Sequence, residues 1–206
     1  MLPGEGHWPW LTIRKTALIN EVIAVVLGYL IGSIPSAYII GRLMGKIDVR
    51  QEGDGRISAA AVHRKLGAVP FVLVVLMDVG AGVLTVLIAS MLTESQIAVL
   101  IAGFAAVVGH NWSVFLKFRG GMGATTIYGV LVTLVWWQLL AVAAAAFILF
   151  LIMKRKKSGL STAVLIIALS ILLFVQKAPL ILVIYPFVLI MLMLLKRFQI
   201  SKTGPR

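Results

Sequence analysis

The chain has 206 residues, 61% hydrophobic and only 13% charged, with a mean hydropathy of +1.05. A soluble domain is nearer about 45–50% apolar and about 25% charged, and a chain this short leaves too much surface in contact with solvent to hide the excess. A wholly water-soluble fold is therefore excluded, and the absence of cysteine removes disulfides, thiolate metal sites and a Cys nucleophile.

In chain order, apolar stretches predict membrane helices over 17–44, 68–92, 97–117, 124–153, 160–175 and 179–195, measured against the roughly 20 residues needed to cross a hydrocarbon core. The first reads as a retained helix and not a cleaved signal: Glu5 is acidic, the apolar run continues to Ile40, and no clean small-residue cleavage site follows. As a single helix, 124–153 would be about 45 Å long. Its adjacent Trp136 and Trp137 favour the headgroup region, so a hairpin of two short helices is predicted to turn there. The expected architecture is all-α, a polytopic bundle of about seven crossings forming one integral membrane domain over 1–206.

Charge orients this bundle. Of the 19 Lys and Arg residues, all but Arg14, Lys15 and Lys177 fall on one face if 124–153 crosses twice. The positive-inside rule makes that face cytoplasmic, with the N-terminus out and the C-terminus in. The net charge of +12 is thereby explained without nucleic acid as a partner. The only sizeable extramembrane segment, 45–67, carries the small run Ser58-Ala59-Ala60-Ala61 and is expected to be ordered and tightly packed.

Polar residues at membrane depth are costly and tend to face a bundle interior or a water-filled cavity. Pro35, in Gly32-Ser33-Ile34-Pro35-Ser36, should kink the first helix, with Ser33 capping loosened carbonyls. Asp78 sits about 15 Å and His110 about 10 Å from the cytoplasmic ends of their helices, and Ser33 lies at a similar level. Two readings fit: a structural hydrogen bond around Asp78, or a functional polar cluster open to the cytoplasm. The segment Arg119-Gly120-Gly121-Met122-Gly123-Ala124 leads straight into a helix, where amides and an Arg favour an anion such as phosphate. Three histidines, His7, His63 and His110, are too scattered for a metal site.

Four stretches, GSIPSAYIIGR at 32–42, DVRQEGDGRISAAAVHRKLG at 48–67, LMDVGAG at 76–82 and GHNWSVFLKFRGGMGATT at 109–126, together resemble the bacterial acylphosphate:glycerol-3-phosphate acyltransferases. The resemblance implies a seven-helix, N-out enzyme of the bacterial cytoplasmic membrane, acting in phospholipid biosynthesis. It would move an acyl group from acyl phosphate to the sn-1 hydroxyl of glycerol 3-phosphate, giving lysophosphatidic acid, with no cofactor or metal. A soluble enzyme that makes acyl phosphate is an implied partner, besides the lipid bilayer. Catalysis falls to His110, Ser33 and Asp78, and substrate binding to Arg64, Arg50, Arg56, Arg119, Gly120, Gly121 and the position of Asp54.

Several positions depart from the family pattern. Asp54 stands where the family has a phosphate-contacting serine, Arg56 and Ala61 replace asparagines, and Ala81 and Met122 replace lysines. Arg119 takes the place of another lysine, and Lys196-Arg197-Phe198-Gln199-Ile200 faces the family's His-Arg-x-Asn-Ile. Asp54 and Met122 motivate a second reading, a non-catalytic paralogue that binds acyl lipid or a partner enzyme. A third, a small transporter, is motivated by Asp78 and His110 at membrane depth, but recognisable inverted repeats are lacking.

Overall fold

The computed structural model describes residues 9–51, 57–153 and 162–203. The regular elements among them are helices: α1 (Pro9–Gly32), α2 (Ser36–Gly45), α3 (Ala59–Leu66), α4 (Ala68–Leu92), α5 (Gln96–Asn111), α6 (Ala124–Leu134), α7 (Trp136–Met153), α8 (Thr162–Val175) and α9 (Leu180–Thr203). Among the described residues three stretches are individually long and apolar enough to cross a membrane, Thr16–Gly45, Ala68–Leu92 and Leu180–Ile200.

Local chemistry sets the breaks. Pro35 has no N–H to give, so the first apolar stretch splits into α1 and α2. The expected capping by Ser33 is not what repairs this break. Its hydroxyl has no protein partner, and its own carbonyl accepts the hydroxyl of Ser113 instead. The third helix is shorter than the 97–117 expected: α5 stops at Asn111, and a 3₁₀ turn follows at Val114–Leu116. Lys117 and Phe118 then adopt positive φ, 54° and 60°, and fold Arg119 back against Ser113. The stretch 124–153 breaks at Val135, beside the two tryptophans, where the axis turns by 118°.

Packing between α1 and α5 is close because glycines leave no side chain at the crossing. A Cβ at Gly32 would land on the Ala106 carbonyl, and one at Gly109 on that of Tyr29. Between α4 and α6 the same holds for Gly82 against Thr126 and Gly129 against Val79. Such contacts matter in lipid, where helices gain little from leaving an equally apolar solvent and depend on close van der Waals approach. Large apolar side chains such as Leu18, Leu76, Leu84 and Met191 are left pointing outward.

A second, smaller cluster (Ala37, Ile40, Val49, Ile57, Val62, Val74 and Leu116) holds the described parts of 45–67 against the bundle end. Ser58 caps α3 by accepting the Ala61 N–H at 3.2 Å. Of the small run, Ala61 is buried and Ser58 and Ala59 are half-buried, while Ala60 faces outward.

Gly32→Val should lower the unfolding temperature in detergent markedly, an overpacking cost of about 1–3 kcal/mol. Gly80→Ala, whose added Cβ meets nothing within 4 Å, should leave that temperature unchanged or slightly raised.

Candidate active site

Val74, Asp78, Gly82, Val86 and Ala89 form the buried stripe of α4, at the spacing that stacks side chains along one helix face. Asp78 is thereby turned inward, where an unpaired carboxylate would be costly. Three elements answer it. The Ser36 hydroxyl, at the start of α2, donates to Oδ1, and the Thr125 hydroxyl, in the first turn of α6, donates to Oδ2 at 2.8 Å. His110, at the end of α5, places Nδ1 3.7 Å from Oδ1, just beyond direct hydrogen-bond length.

Ser36, Asp78 and His110 line one narrow cavity of about 20 Å³ together with Ser33, Ser58, Ser113, Gly120 and Gly121, with Thr125 holding the far oxygen of Asp78 from outside it. The three residues expected at a common level, Ser33, Asp78 and His110, thus meet in a single site. Ser33 is fully buried with its hydroxyl unpartnered. The glycine loop closes over the histidine: Gly121 N–H donates to the His110 carbonyl at 3.1 Å, and a Cβ on Gly121 would occupy the space beside His110 Nε2. A Cβ on Gly120 would strike the His110 carbonyl. Glycine at 120 and 121 therefore lets the backbone approach the histidine with no side chain set against Nε2 from position 121.

The cations are distributed unevenly. Arg50 is committed to Asp48, donating from Nε at 2.9 Å and from a terminal nitrogen at 2.7 Å. Arg42 reaches the same carboxylate at 3.0 Å, and both guanidinium groups lie over the Tyr38 ring. Arg50 hydrogen bonds hold the Asp48 carboxyl well below the usual carboxylate range, against the opposing effect of burial. Arg50 therefore braces the loop after α2 and does not line the cavity. Arg64, on α3, and Arg119, ahead of the glycine loop, are exposed. Asp54 and Arg56 lie outside the described residues.

Sequence reading overlooked Ser36 and Thr125 as partners of Asp78, although each lies in the first turn of a helix that follows a break. Lys196, which stands at the family's histidine position, is buried with its ammonium 4.9 Å from the centre of the Trp112 ring. Gln199, one turn later, accepts the Trp112 indole N–H at 3.0 Å, and Tyr29 donates to the Trp112 carbonyl. The end of α9 is thus fastened to the residue between Asn111 and the cavity-lining Ser113.

A sequence profile described as glycerol-3-phosphate acyltransferase matches residues 22–202. The glycerol-3-phosphate acyltransferase 2 of Moorella thermoacetica is 42% identical over 113 residues, 55% of this chain and 58% of the relative. The glycerol-3-phosphate acyltransferase of Shouchella clausii is 41% identical over 120 residues, 57% of this chain and 58% of the relative. The chain thus covers less than two thirds of the length of these curated relatives. The crystal structure of PlsY, an integral membrane glycerol 3-phosphate acyltransferase, in its glycerol 3-phosphate form superposes with a TM-score of 0.73 at 29% identity. That superposition covers 89% of this chain and 91% of the other. Its lysophosphatidic acid form gives the same TM-score at 28% identity and the same coverage.

Because the Asp48 carboxyl is depressed in the folded protein, its stabilising contribution is present above the unfolded value of about 3.9 and lost as pH falls below it. Asp48→Asn should therefore unfold at lower temperature than wild type at pH 7, and the gap should narrow steadily as unfolding is followed toward pH 3.

Proposed function

The chain belongs to the glycerol-3-phosphate acyltransferase family, and from that premise we propose that it transfers an acyl group from acyl phosphate to glycerol 3-phosphate, giving lysophosphatidic acid. The observation that carries this reading is the convergence of Ser33, Asp78, His110, Gly120 and Gly121 on one cavity at a single end of the bundle.

Acyl phosphate is an activated mixed anhydride, so the protein needs to position the reactants and neutralise charge. The sn-1 hydroxyl oxygen attacks the acyl carbonyl carbon. The bond from that carbon to the phosphate oxygen breaks, and its electron pair leaves with inorganic phosphate. His110 Nε2 takes the hydroxyl proton and passes it to the departing phosphate, while Asp78 faces Nδ1 and favours the tautomer with the proton there. A distance of 3.7 Å between those two groups is in keeping with hydrogen bonds that tighten once substrate is bound. The unpartnered hydroxyl of Ser33 donates to the oxygen that becomes negative at the carbonyl. Arg64, Arg119 and Lys196 neutralise the phosphates, joined by Arg56. Arg50 acts through Asp48 as a positioning residue.

The accompanying topology has seven crossings, with the N-terminus outside and the active site opening to the cytoplasm of a bacterial cell. Support comes from the basic residues that accumulate at the site's end of the chain's helices. A soluble enzyme that makes acyl phosphate would deliver the donor to this basic face. Met122 and Ala81, neutral where the family pattern has lysine, favour a second reading: a non-catalytic paralogue that keeps the fold and binds acyl lipid or a partner enzyme.

One assay separates the two. Purified protein given acyl phosphate and labelled glycerol 3-phosphate should form lysophosphatidic acid. His110→Ala should lower kcat by about 10²–10⁴-fold, and Gly121→Ala should do likewise by displacing the imidazole. Folded wild type that forms no product and does not bind glycerol 3-phosphate, yet retains acyl lipid, would establish the second reading.

A further inference from the structure

At the other end of the bundle from Asp78 a groove of about 290 Å³ runs between α1 and α5. Its walls are Leu18, Val22, Val25, Val26, Ile97 and Ile101, and its polar members are Glu21 and Ser95. Glu21 is twelve residues before Ser33, about 18 Å along α1, and takes no part in the site described above. It lies within the stretch Thr16–Gly45 that is apolar enough to span the bilayer. An acidic side chain in such a stretch is costly and calls for a partner. Among the described residues no cation pairs with it. Ser95 is already engaged, its hydroxyl accepting the Ala98 N–H at the start of α5.

The groove is therefore graded. Its polar rim carries one carboxylate beside the loop that begins α5, and its interior, toward Val26 and Ile101, is apolar. We propose that it is a binding site for a bilayer phospholipid with an ammonium headgroup, Glu21 receiving the ammonium and the α1–α5 walls receiving an acyl chain. Charge complementarity at the groove itself selects this occupant: Glu21 is the ionisable residue among the described residues that line it, with Glu94 adjacent to Ser95 in the same loop. Arg14 and Lys15 stand about two turns earlier on α1 and are not in that lining. The larger groove beside it, which shares Ile97 and Ile101 and runs on between α5 and α9 for about 540 Å³, has no such selectivity. Its one polar group, the Tyr185 hydroxyl, is spent on the Leu100 carbonyl.

Native mass spectrometry of the purified protein in equimolar phosphatidylethanolamine and phosphatidylglycerol tests the proposal. Wild type should retain phosphatidylethanolamine about tenfold over phosphatidylglycerol, the ratio expected from one charge-assisted contact. Glu21→Gln should bring the ratio near unity. Val22→Trp, placed at an exposed groove position, should reduce retention of both lipids. Far-UV circular dichroism and gel filtration confirm that each variant is folded, and acyl transfer is not part of the readout. Equal retention of the two lipids by wild type, or an unchanged ratio in Glu21→Gln, overturns the proposal. So does a protein dimer that Glu21→Gln dissociates, since a second copy would then cover the groove.

Discussion

Close backbone approach between helices is the constraint on which this molecule rests. In lipid, apolar side chains gain little by facing each other instead of the bilayer, so association depends on surfaces that fit without a gap. Gly32 and Gly109 at the α1–α5 crossing, and Gly82 and Gly129 at the α4–α6 crossing, supply that fit. They also set the level at which polar residues meet. Gly109 precedes His110, Gly32 precedes Ser33, and Gly82 stands one turn beyond Asp78. The contacts that hold the bundle together therefore also assemble the cavity.

Asp78 turns that geometry into chemistry. A lone buried carboxylate would be destabilising, yet donors from α2 and α6 satisfy it, and α5 brings an imidazole beside it. Each donor follows a helix break: Ser36 comes after Pro35, and Thr125 after the glycine loop. Breaks that look like losses of regular structure free the first turns of α2 and α6 to point at one place. The same logic explains the turn after α5. There the positive φ of Lys117 and Phe118 returns the chain to Ser113 and carries the glycines over His110.

Much of the fold was legible because membrane helices announce themselves by apolar length, and the tryptophan pair marked the break at Val135. Helix ends were less legible. The third helix was read as 97–117, since Trp112, Val114, Phe115 and Leu116 are as apolar as a helix requires, but the chain leaves helical geometry at Trp112. Hydropathy reports the solvent a residue prefers, and a turn at the bilayer edge prefers the same solvent as the helix it follows. Among site residues, counting along helices placed Ser33, Asp78 and His110 at one depth, and they do share a cavity. The same counting could not show that Arg50 is committed to Asp48 two residues away, because neither residue type nor spacing says whether a cation is already paired.

By itself the sequence determined that the chain lives in lipid and where its long apolar stretches run, because both follow from composition summed along the chain. It also carried the motifs that resemble one acyltransferase family. Only the tertiary structure decided which polar groups are satisfied and which are left available. Ser33 was expected to cap a kink, but its hydroxyl is unpartnered, while Ser36 and Thr125 hold Asp78. Lys196, remote in sequence, lies against Trp112 beside the site. Pairing is a property of distances between helices, and those distances are fixed where glycine lets two backbones meet.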